Sequence, residues 1–530
     1  MLTLLFSDIS TLWILYTLPC IFFFILLTGL IRNHFHAGLN KYPAPAFASL
    51  TNWWRFVVVA RRKAHVTHLK LHQELGGIVR LGPNALSFSD PRAVREIYGL
   101  NNKVAKSEFY PVQMQVAKGE ILQSLFGTTN QDYHAKLRRM VSNGFSMSNI
   151  AQYEARIDET ARVFLDQTDK LFAAPGRVCD FKLWLQYFAF DVITEVTYSR
   201  RVGFIDRRED VDGIIAWVDK LVSYSAPVGQ MPILDRLLVK NPILTFLSKH
   251  GLIDTSSGAA RFSQARMAER LAEIESQKHT INDRADLLTM FLKTQRDDKS
   301  GFFHASRVLT MATSLAVAGS DTTAISLAAV FYHLLRNPAR LHRLQSELTS
   351  ATESGLICPR DRGVVSWAEA QNLPYLDACI KEAFRVHPAI SLILERVTPS
   401  GGMMICGEMI PGGTIVGCNP WVIQRQPEIF GEDAEVYRPE RWLIDVTADG
   451  ERETSRLREM NANMLHFGAG SRTCLGKHIG ILEIYKLVPS FLMRFDLELT
   501  RVEEWDLKNV WFVKPVEFDV RIKRREKQVL

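Results

Sequence analysis

One stretch near the C-terminal end carries the most specific signal in this sequence: Phe467-Gly468-Ala469-Gly470-Ser471-Arg472-Thr473-Cys474-Leu475-Gly476. Its glycines let the backbone pass close to another group, because glycine has no side chain to collide. Residues 475–487 favour a helix, which places Cys474 at a helix N-terminus. Free backbone N–H groups there favour negative charge and lower the pKa of a thiol. The thiolate is the reactive and metal-binding form of cysteine, and this position in the chain would favour it.

Two other interpretations of this stretch are weaker. A lone cysteine is most often a buried, inert thiol, and Gly468-x-Gly470 is half of a phosphate-binding glycine fingerprint. The fingerprint fails here, because no third glycine falls in register and no hydrophobic strand leads into it.

The stretch resembles the haem-ligand loop of the cytochrome P450 family, whose pattern is Phe-x-x-Gly-x-Arg-x-Cys-x-Gly, and all five fixed positions match. The resemblance implies haem b as the cofactor, with the Cys474 thiolate as axial iron ligand and Arg472 paired with a haem propionate. It also places Phe467, Gly468 and Gly476 against the haem, and Gly470 and Gly476 would let the backbone approach the macrocycle. A thiolate ligand favours O–O cleavage, so the resemblance implies an oxygenase.

A second motif, residues 318–323, reads Ala-Gly-Ser-Asp-Thr-Thr inside the apolar run from Val308 to Leu335. Asp321 is the only Asp, Glu, Lys or Arg between positions 307 and 336. The motif resembles the family's oxygen-activation segment, which implies that Asp321 and Thr322 are catalytic and deliver protons. We expect Gly319 and the hydroxyl groups to loosen the helix locally. A second transmembrane helix is the alternative interpretation of this run.

A third motif, Glu-x-x-Arg at Glu382 and Arg385, is weak alone, since this spacing occurs five times. Its position is distinctive, about 90 residues before Cys474 and ahead of Pro439-Glu440-Arg441-Trp442. The latter resembles the family's Pro-Glu-Arg-Phe segment, with Trp442 in place of Phe. The resemblance implies that Glu382, Arg385 and Arg441 form a buried structural triad that supports the cysteine loop.

The resemblance extends to further cofactor contacts. Arg396 matches a position that contacts a propionate, and Arg138 matches the arginine of a family Trp-x-x-x-Arg motif. His134 stands at the place of the tryptophan, so it is a candidate hydrogen-bond donor, and the alternative is a plain basic surface helix. Three further cations would form a basic face for an acidic reductase: Lys136, Arg139 and Lys477.

Composition excludes several classes of protein. The 530 residues carry a net charge of only +7, which does not suit a nucleic-acid-binding protein. The seven cysteines include no close pair, which argues against a disulfide framework or a cysteine zinc site and fits a reducing compartment.

The N-terminus predicts a membrane anchor. Residues 11–31 contain no charge and are long enough to cross a bilayer. A cleaved signal peptide is the alternative, but the run is too long and no Lys or Arg precedes it. The basic residues that follow predict a lumenal tail at 1–10, a basic and Pro-containing linker at 32–46 and a cytosolic domain at 47–530. The expected location is the endoplasmic reticulum membrane.

The remaining pattern predicts a mainly α domain with small β-sheets, the cytochrome P450 fold, after a single N-terminal transmembrane helix. We expect an amphipathic helix over 60–75, a hairpin over 78–88 that turns at Gly82-Pro83-Asn84, and a strand over 516–522.

The resemblance implies a monooxygenase that uses O2 and electrons from NADPH–cytochrome P450 reductase, with cytochrome b5 as a further partner. The segment 185–204 looks most like fungal members of secondary metabolism, so a terpenoid or polyketide substrate is expected. Substrate contacts are expected from 107–126, the stretch before Gly319, and 389–394, including Phe109, Phe126, Ile390, Leu392 and Leu394. Two alternatives stay open: a haem-thiolate isomerase or dehydratase without a reductase, and a haem-based sensor.

Overall fold

A computed structural model of the chain describes residues 2–100, 102, 104–117, 119–254, 258–276, 286–358, 363–445 and 447–525. These residues form many helices and five small sheets. The predicted class, mainly α with small β-sheets, is confirmed.

The helices are numbered in chain order over the described residues. They are α1 (Leu2–His34), α2 (Trp53–Ala60), α3 (Ala64–Leu75), α4 (Arg92–Tyr98), α5 (Gln131–Val141), α6 (Met147–Ile150), α7 (Glu154–Thr168), α8 (Phe181–Tyr198), α9 (Phe204–Arg207), α10 (Ile214–Val228), α11 (Ile233–Leu237), α12 (Pro242–Lys249), α13 (Gly258–Glu275), α14 (Leu287–Asp297), α15 (Ala305–Leu335), α16 (Pro338–Glu353), α17 (Trp367–Ala370), α18 (Pro374–Val386), α19 (Pro420–Ile423), α20 (Pro427–Phe430), α21 (Gly450–Ala462) and α22 (Lys477–Arg494).

The strands form one sheet of five strands, one of three and three of two. They are β1 (Ile78–Gly82), β2 (Ala85–Phe88), β3 (Ala105–Lys106), β4 (Val116–Ala117), β5 (Glu120–Ile121), β6 (Val178–Asp180), β7 (Arg396–Val397), β8 (Met403–Ile405), β9 (Glu408–Ile410), β10 (Ile415–Cys418), β11 (Phe495–Leu499), β12 (Leu507–Val510), β13 (Phe512–Pro515) and β14 (Asp519–Arg524). The sheet orders are β1-β2-β10-β7-β3, β11-β14-β6, β12-β13, β4-β5 and β8-β9.

Helix α15 runs through the centre of the domain and packs against α8, α18 and α22. Of its most apolar window, 67% is buried inside the protein. An apolar helix covered by protein on most sides is a core helix, so the interpretation of α15 as a second transmembrane span is wrong.

The local predictions are partly correct. The hairpin over 78–88 is confirmed as the antiparallel pair β1–β2. The helix predicted over 60–75 is α3, which ends at Leu75 as predicted but begins later, at Ala64, because the chain turns after α2, where Arg62 adopts a φ of 60°. The predicted strand over 516–522 begins later, at Asp519.

The N-terminal helix α1 continues to His34, and none of the most apolar window of its segment Tyr16–His34 is buried inside the protein. Hydrogen bonds join the C-terminal end of α1 to strand β1. The guanidinium of Arg80, fully buried, donates to the carbonyl groups of Asn33 at 2.6 Å and His34 at 2.7 Å. The following segment, expected to be a spacer, also packs on the domain, since Leu39 and Tyr42 are buried.

Candidate active site

The Cys474 loop is a tight turn closed by a backbone hydrogen bond. The Cys474 N–H donates to the carbonyl of Phe467 at 2.8 Å, and the backbone passes through positive φ at Gly468 (67°) and Gly470 (65°). A Cβ at Gly470 would stand 1.8 Å from the carbonyl oxygen of Tyr98. Glycine is therefore required at 470 by its φ and by this contact with the end of α4.

Cys474 lies just before α22, which begins at Lys477 rather than at the predicted Leu475. Burial raises the pKa of the Cys474 thiol, and it outweighs the N–H groups of Gly476 and Lys477 and the charge of Arg138, which act in the opposite direction. The N–H groups at the start of α22 therefore act on the pKa in the predicted direction, and burial sets the net direction of the shift. Cys474 is exposed although protein surrounds it closely, which places it on a concave surface.

Helix α5 brings two of the predicted cofactor residues to this loop. Asn130 caps the helix through its side chain, and one turn of helix separates His134 from Arg138. Arg138 donates to the carbonyl of Thr473 at 2.8 Å and so holds the loop. Burial, reinforced by Arg472 and Arg138, lowers the pKa of His134 to about 3, so its imidazole is neutral.

Two further predicted cations, Arg472 and Arg396, lie nearby. Arg472 donates to the carbonyl of Thr128 at 3.1 Å. Burial lowers the pKa of Arg472 to about 10, and the charges of Arg396 and Arg138 add to this effect. Arg396 is buried on β7 and donates to the carbonyl of Glu395 at 2.9 Å.

Lys106 joins these cations, and sequence reasoning misses it. It is buried on β3 and lies directly opposite Arg396 on β7, so two like charges face each other across a sheet. Its ammonium donates to the carbonyl of Phe126 at 2.6 Å and lies 4.0 Å from the ring centroid of Tyr110. Burial, with the charges of Arg396 and Arg472, lowers its pKa well below the usual value. No sequence pattern distinguishes a single lysine in a strand of two residues as a functional residue.

The cation cluster, defined as Lys106, Arg138, Arg396 and Arg472, fits a dianionic ligand. Among the described residues its hydrogen bonds go to carbonyl groups and neutral side chains, and none goes to a carboxylate. The Nε of Arg472 is buried and has no hydrogen-bond partner there. Buried cations without counterions are costly, so the two propionates of haem suit this cluster. Beside it, a Cβ at Gly476 would meet nothing within 4 Å, which leaves room for a flat ring.

The structure brings together Glu382, Arg385 and Arg441, all buried, as predicted. Arg385 donates to both carboxylate oxygens of Glu382 at 2.8 Å, and Arg441 donates to Oε1 at 2.9 Å. The indole N–H of Trp442 donates to Oε2 at 2.8 Å. Burial alone would raise the pKa of Glu382, but Arg385 and Arg441 outweigh it and lower the pKa.

Two contacts connect this cluster on α18 to the cysteine loop. The ring of Phe384 stacks on His466, with centroids 4.7 Å apart, and packs edge-on against Phe467 at 5.7 Å. Gln424 donates to carbonyl groups at the end of α18 and accepts the N–H of Leu465 at 2.7 Å. Sequence reasoning misses Gln424, which no local pattern marks.

Asp321 and Thr322 lie at the middle of α15. The Thr322 hydroxyl donates to the carbonyl of Ala318 at 2.8 Å, and the buried Asp321 accepts hydrogen bonds from Gln186 and Lys514. Neither partner follows from the motif.

Gly319 serves packing rather than flexibility. A Cβ at Gly319 would lie 2.7 Å from Cγ1 of Ile193 on α8. Helix α15 is helical without interruption from Ala305 to Leu335. The predicted local loosening is therefore wrong, and glycine instead lets α15 and α8 approach closely.

An aromatic cluster gathers several of the predicted substrate contacts. Phe109 and Leu392 are buried together, with Ile390 and Leu394 packed against them. At its centre is Trp511, in the turn between β12 and β13, which sequence reasoning misses. Its φ of 83° is rare for a residue with a side chain, and such strain is common at functional sites. The stretch before Gly319 packs in a different cluster.

Comparison with known proteins agrees with this geometry. The family model described as Cytochrome P450 matches residues 44–520. The chain is 40% identical over 506 residues to Cytochrome P450 monooxygenase cicH of Emericella nidulans, covering 95% of this chain and 98% of that protein. It is 38% identical over 476 residues to a cytochrome P450 monooxygenase of Aspergillus terreus, covering 89% and 93%. With a family match across most of its length and these relatives, the chain belongs to the cytochrome P450 monooxygenases.

Proposed function

We propose that this monooxygenase binds haem b through Cys474 and oxidises a hydrophobic small molecule with O2 and electrons from NADPH. The observation that carries the proposal is the cation cluster beside Cys474, which has no carboxylate partner among the described residues. Such a cluster suits the propionates of haem.

Each group of side chains has a role in this proposal. Cys474 ligates the iron, and the cation cluster and His134 hold the propionates. Bound haem supplies the activation of O2. Asp321 and Thr322 carry protons inward through water, while the aromatic cluster around Trp511 orients the substrate and excludes solvent.

The structural triad supports the cysteine loop rather than the chemistry. Glu382, Arg385 and Arg441 are buried, and α18 touches the loop through Phe384. We expect loss of any one of the three to release haem.

The acid and alcohol on α15 favour an oxygenase over an isomerase or dehydratase, because those reactions need no supply of protons to oxygen. A haem-based sensor would need neither the proton path through Asp321 and Thr322 nor a membrane anchor. Dependence of product formation on NADPH and a reductase separates these alternatives.

We infer that the electron donors are NADPH–cytochrome P450 reductase and cytochrome b5. Lys136 and Arg139 are exposed on α5, and Lys477 is half-buried at the start of α22. Cations near the cysteine loop would attract an acidic partner, and the rate of electron transfer should fall as salt rises. A rate that is independent of salt would contradict this docking face.

We propose that α1 anchors the protein in the endoplasmic reticulum membrane, with residues 1–10 lumenal, 11–31 in the bilayer and the domain cytosolic. The segment Tyr16–His34 is long and apolar enough to cross a membrane. Exposed apolar side chains on and between α11 and α12 would add contact with lipid: Ile233, Leu237, Leu238, Ile243 and Phe246. A membrane-partitioning terpenoid or polyketide of fungal secondary metabolism is the substrate class that we propose.

The test is the absorption spectrum of the dithionite-reduced protein with and without carbon monoxide. We expect a strongly red-shifted Soret band that is lost in Cys474→Ser and kept in Cys358→Ser, which alters an exposed cysteine. A globin-like band would indicate a neutral thiol or histidine ligand, and absence of haem would overturn the proposal.

A further inference from the structure

Asp321 is held by a lysine from the other end of the chain. The ammonium of Lys514 donates to Oδ2 of Asp321 at 2.5 Å and to Oδ1 of Asp219 at 2.6 Å. Gln186 donates to the second oxygen of Asp321. Three elements therefore meet at one ammonium group: α15, α10 and the strand β13.

The location of Lys514 is unusual for a lysine. All four residues of β13 are buried, and the side chain of Lys514 is only 11% exposed. Burial alone would lower its pKa, but the carboxylates of Asp321 and Asp219 outweigh burial and raise it. Lys514 therefore stays a cation, and a buried cation is retained only where it is paired.

The two carboxylates differ in their access to water. The side chain of Asp321 is 1% exposed, whereas that of Asp219 is 41% exposed. Lys514 thus connects the buried acid of the proposed proton path to a residue at the surface. The chain of contacts runs from solvent to the middle of α15.

We propose that Lys514 is a positioning residue that keeps Asp321 ionised and correctly oriented, and that Asp219 is the outer anchor of this link. The proposal rests on the monooxygenase function proposed above. Lys514 keeps its own proton throughout. Asp321 takes one proton from water that enters on the Asp219 side and passes one to water on the Thr322 side, so that its charge is restored.

Removal of the ammonium should change the protonation of Asp321. In Lys514→Met the neutral Gln186 is the one side-chain donor to Asp321 that remains among the described residues. A buried carboxylate without a nearby positive charge takes up a proton. Lys514→Arg retains the charge and should behave like the wild-type protein. Lys508 is the matched control, because it lies directly opposite Lys514 on β12 and has no hydrogen bond to Asp321.

The first measurement is infrared difference spectroscopy of the haem-loaded protein on photolysis of carbon monoxide. We expect a protonated-carboxyl band in Lys514→Met that is absent from the wild-type protein, Lys508→Met and Lys514→Arg. The band should vanish in the double variant Lys514→Met with Asp321→Asn. Wild-type and Lys514→Met spectra without any difference in this region would overturn the proposal.

The second measurement is consumption of NADPH and O2 with added reductase, in H2O and in D2O. We expect Lys514→Met to be slower by ~10-fold or more, with a larger solvent isotope effect, since general acid catalysis contributes at least this much. Asp219→Asn should give a smaller change in the same direction, and it serves as the test if Lys514→Met does not fold. Equal isotope effects in all variants would contradict the positioning role.

The two proposals fail in different ways. A wild-type protein without the red-shifted band of the carbon monoxide complex overturns the proposed function. A wild-type protein with that band, whose Lys514→Met variant matches it in both measurements, overturns only the positioning role.

Discussion

Trp442 donates its indole N–H to Oε2 of Glu382 at 2.8 Å, the same oxygen that accepts the Nε–H of Arg385. The family pattern has Phe at position 442, so this chain adds a donor to a buried carboxylate. The sequence shows that Trp stands in place of Phe at position 442, and the hydrogen bond to Glu382 shows what the Trp side chain does there.

Loss of the charge at Glu382 should release the cysteine loop. Glu382→Gln leaves the buried Arg385 without its acidic partner and leaves Arg441 with Asp433 alone, which costs about 3–5 kcal/mol of stability. Chemical denaturation should report this loss, together with a lower haem content after purification.

The stability loss in Glu382→Gln should be compared with the losses in two other variants. Trp442→Phe removes one hydrogen bond to a charged group and should cost about 1.5–3 kcal/mol. Glu159→Gln breaks an exposed pair with Arg162 of the same Glu-x-x-Arg spacing and should cost less than about 1 kcal/mol. Equal losses for Glu382→Gln and Glu159→Gln would contradict a supporting role for the triad.

Replacement of Lys106 should weaken haem binding. A charge-assisted hydrogen bond contributes about 1.5–3 kcal/mol, so Lys106→Met should release haem ~10-fold faster or more. Transfer of haem to an apo-globin acceptor measures this rate. Lys136→Met removes an exposed lysine from α5 and should leave the rate unchanged. An unchanged rate in Lys106→Met would remove Lys106 from the proposed propionate contacts.

The buried histidines predict a loss of stability in acid. Burial lowers the pKa of His68 from 6.5 to about 3, and its Nδ1 accepts a hydrogen bond from Asn419 only when neutral. Below pH 6.5 His68 takes up a proton in the unfolded state but stays neutral in the folded state. The free energy of unfolding therefore falls as pH falls toward 3. The loss reaches at most about 1.4 kcal/mol per pH unit for this one histidine.

Urea denaturation at a series of pH values tests this expectation. His68→Gln should flatten the acid limb of the stability curve, whereas His250→Gln, at an exposed position, should not. A slope that is the same in all three proteins would show that His68 does not titrate on unfolding.

The parts of the site that sequence predicts are those marked by local spacing. Residues 467–476, Asp321 with Thr322, and Glu382 with Arg385 each lie within one short segment, where one helix or turn fixes their relation. Lys106, Gln424 and Lys514 were missed because each acts on a residue far away in the chain. Lys106 opposes Arg396 across a sheet, and such a pairing leaves no trace in either segment alone.

The contacts of the N-terminal helix α1 with the domain also join residues that are far apart in the chain. An apolar run predicts a spanning helix from length alone, and α1 is helical over this run. The attachment of its end depends on Arg80, an ordinary arginine in a hairpin whose partners are backbone carbonyl groups. Backbone partners have no side-chain identity, so no residue pattern could have predicted this contact.

Two glycines of the cysteine loop should respond to alanine in opposite ways. Gly470→Ala forces a side chain into a φ of 65° and against the Tyr98 carbonyl, so it should destabilise the protein by at least about 1 kcal/mol whether or not haem is bound. Gly476→Ala meets no atom within 4 Å and has an ordinary φ of −84°. The haem-free protein should tolerate it, while haem affinity should fall because the methyl group occupies the space proposed for the ring. Thermal unfolding of the haem-free variants and haem titration measure the two effects separately. If Gly476→Ala bound haem as tightly as the wild-type protein, the macrocycle would not lie against this side of the loop.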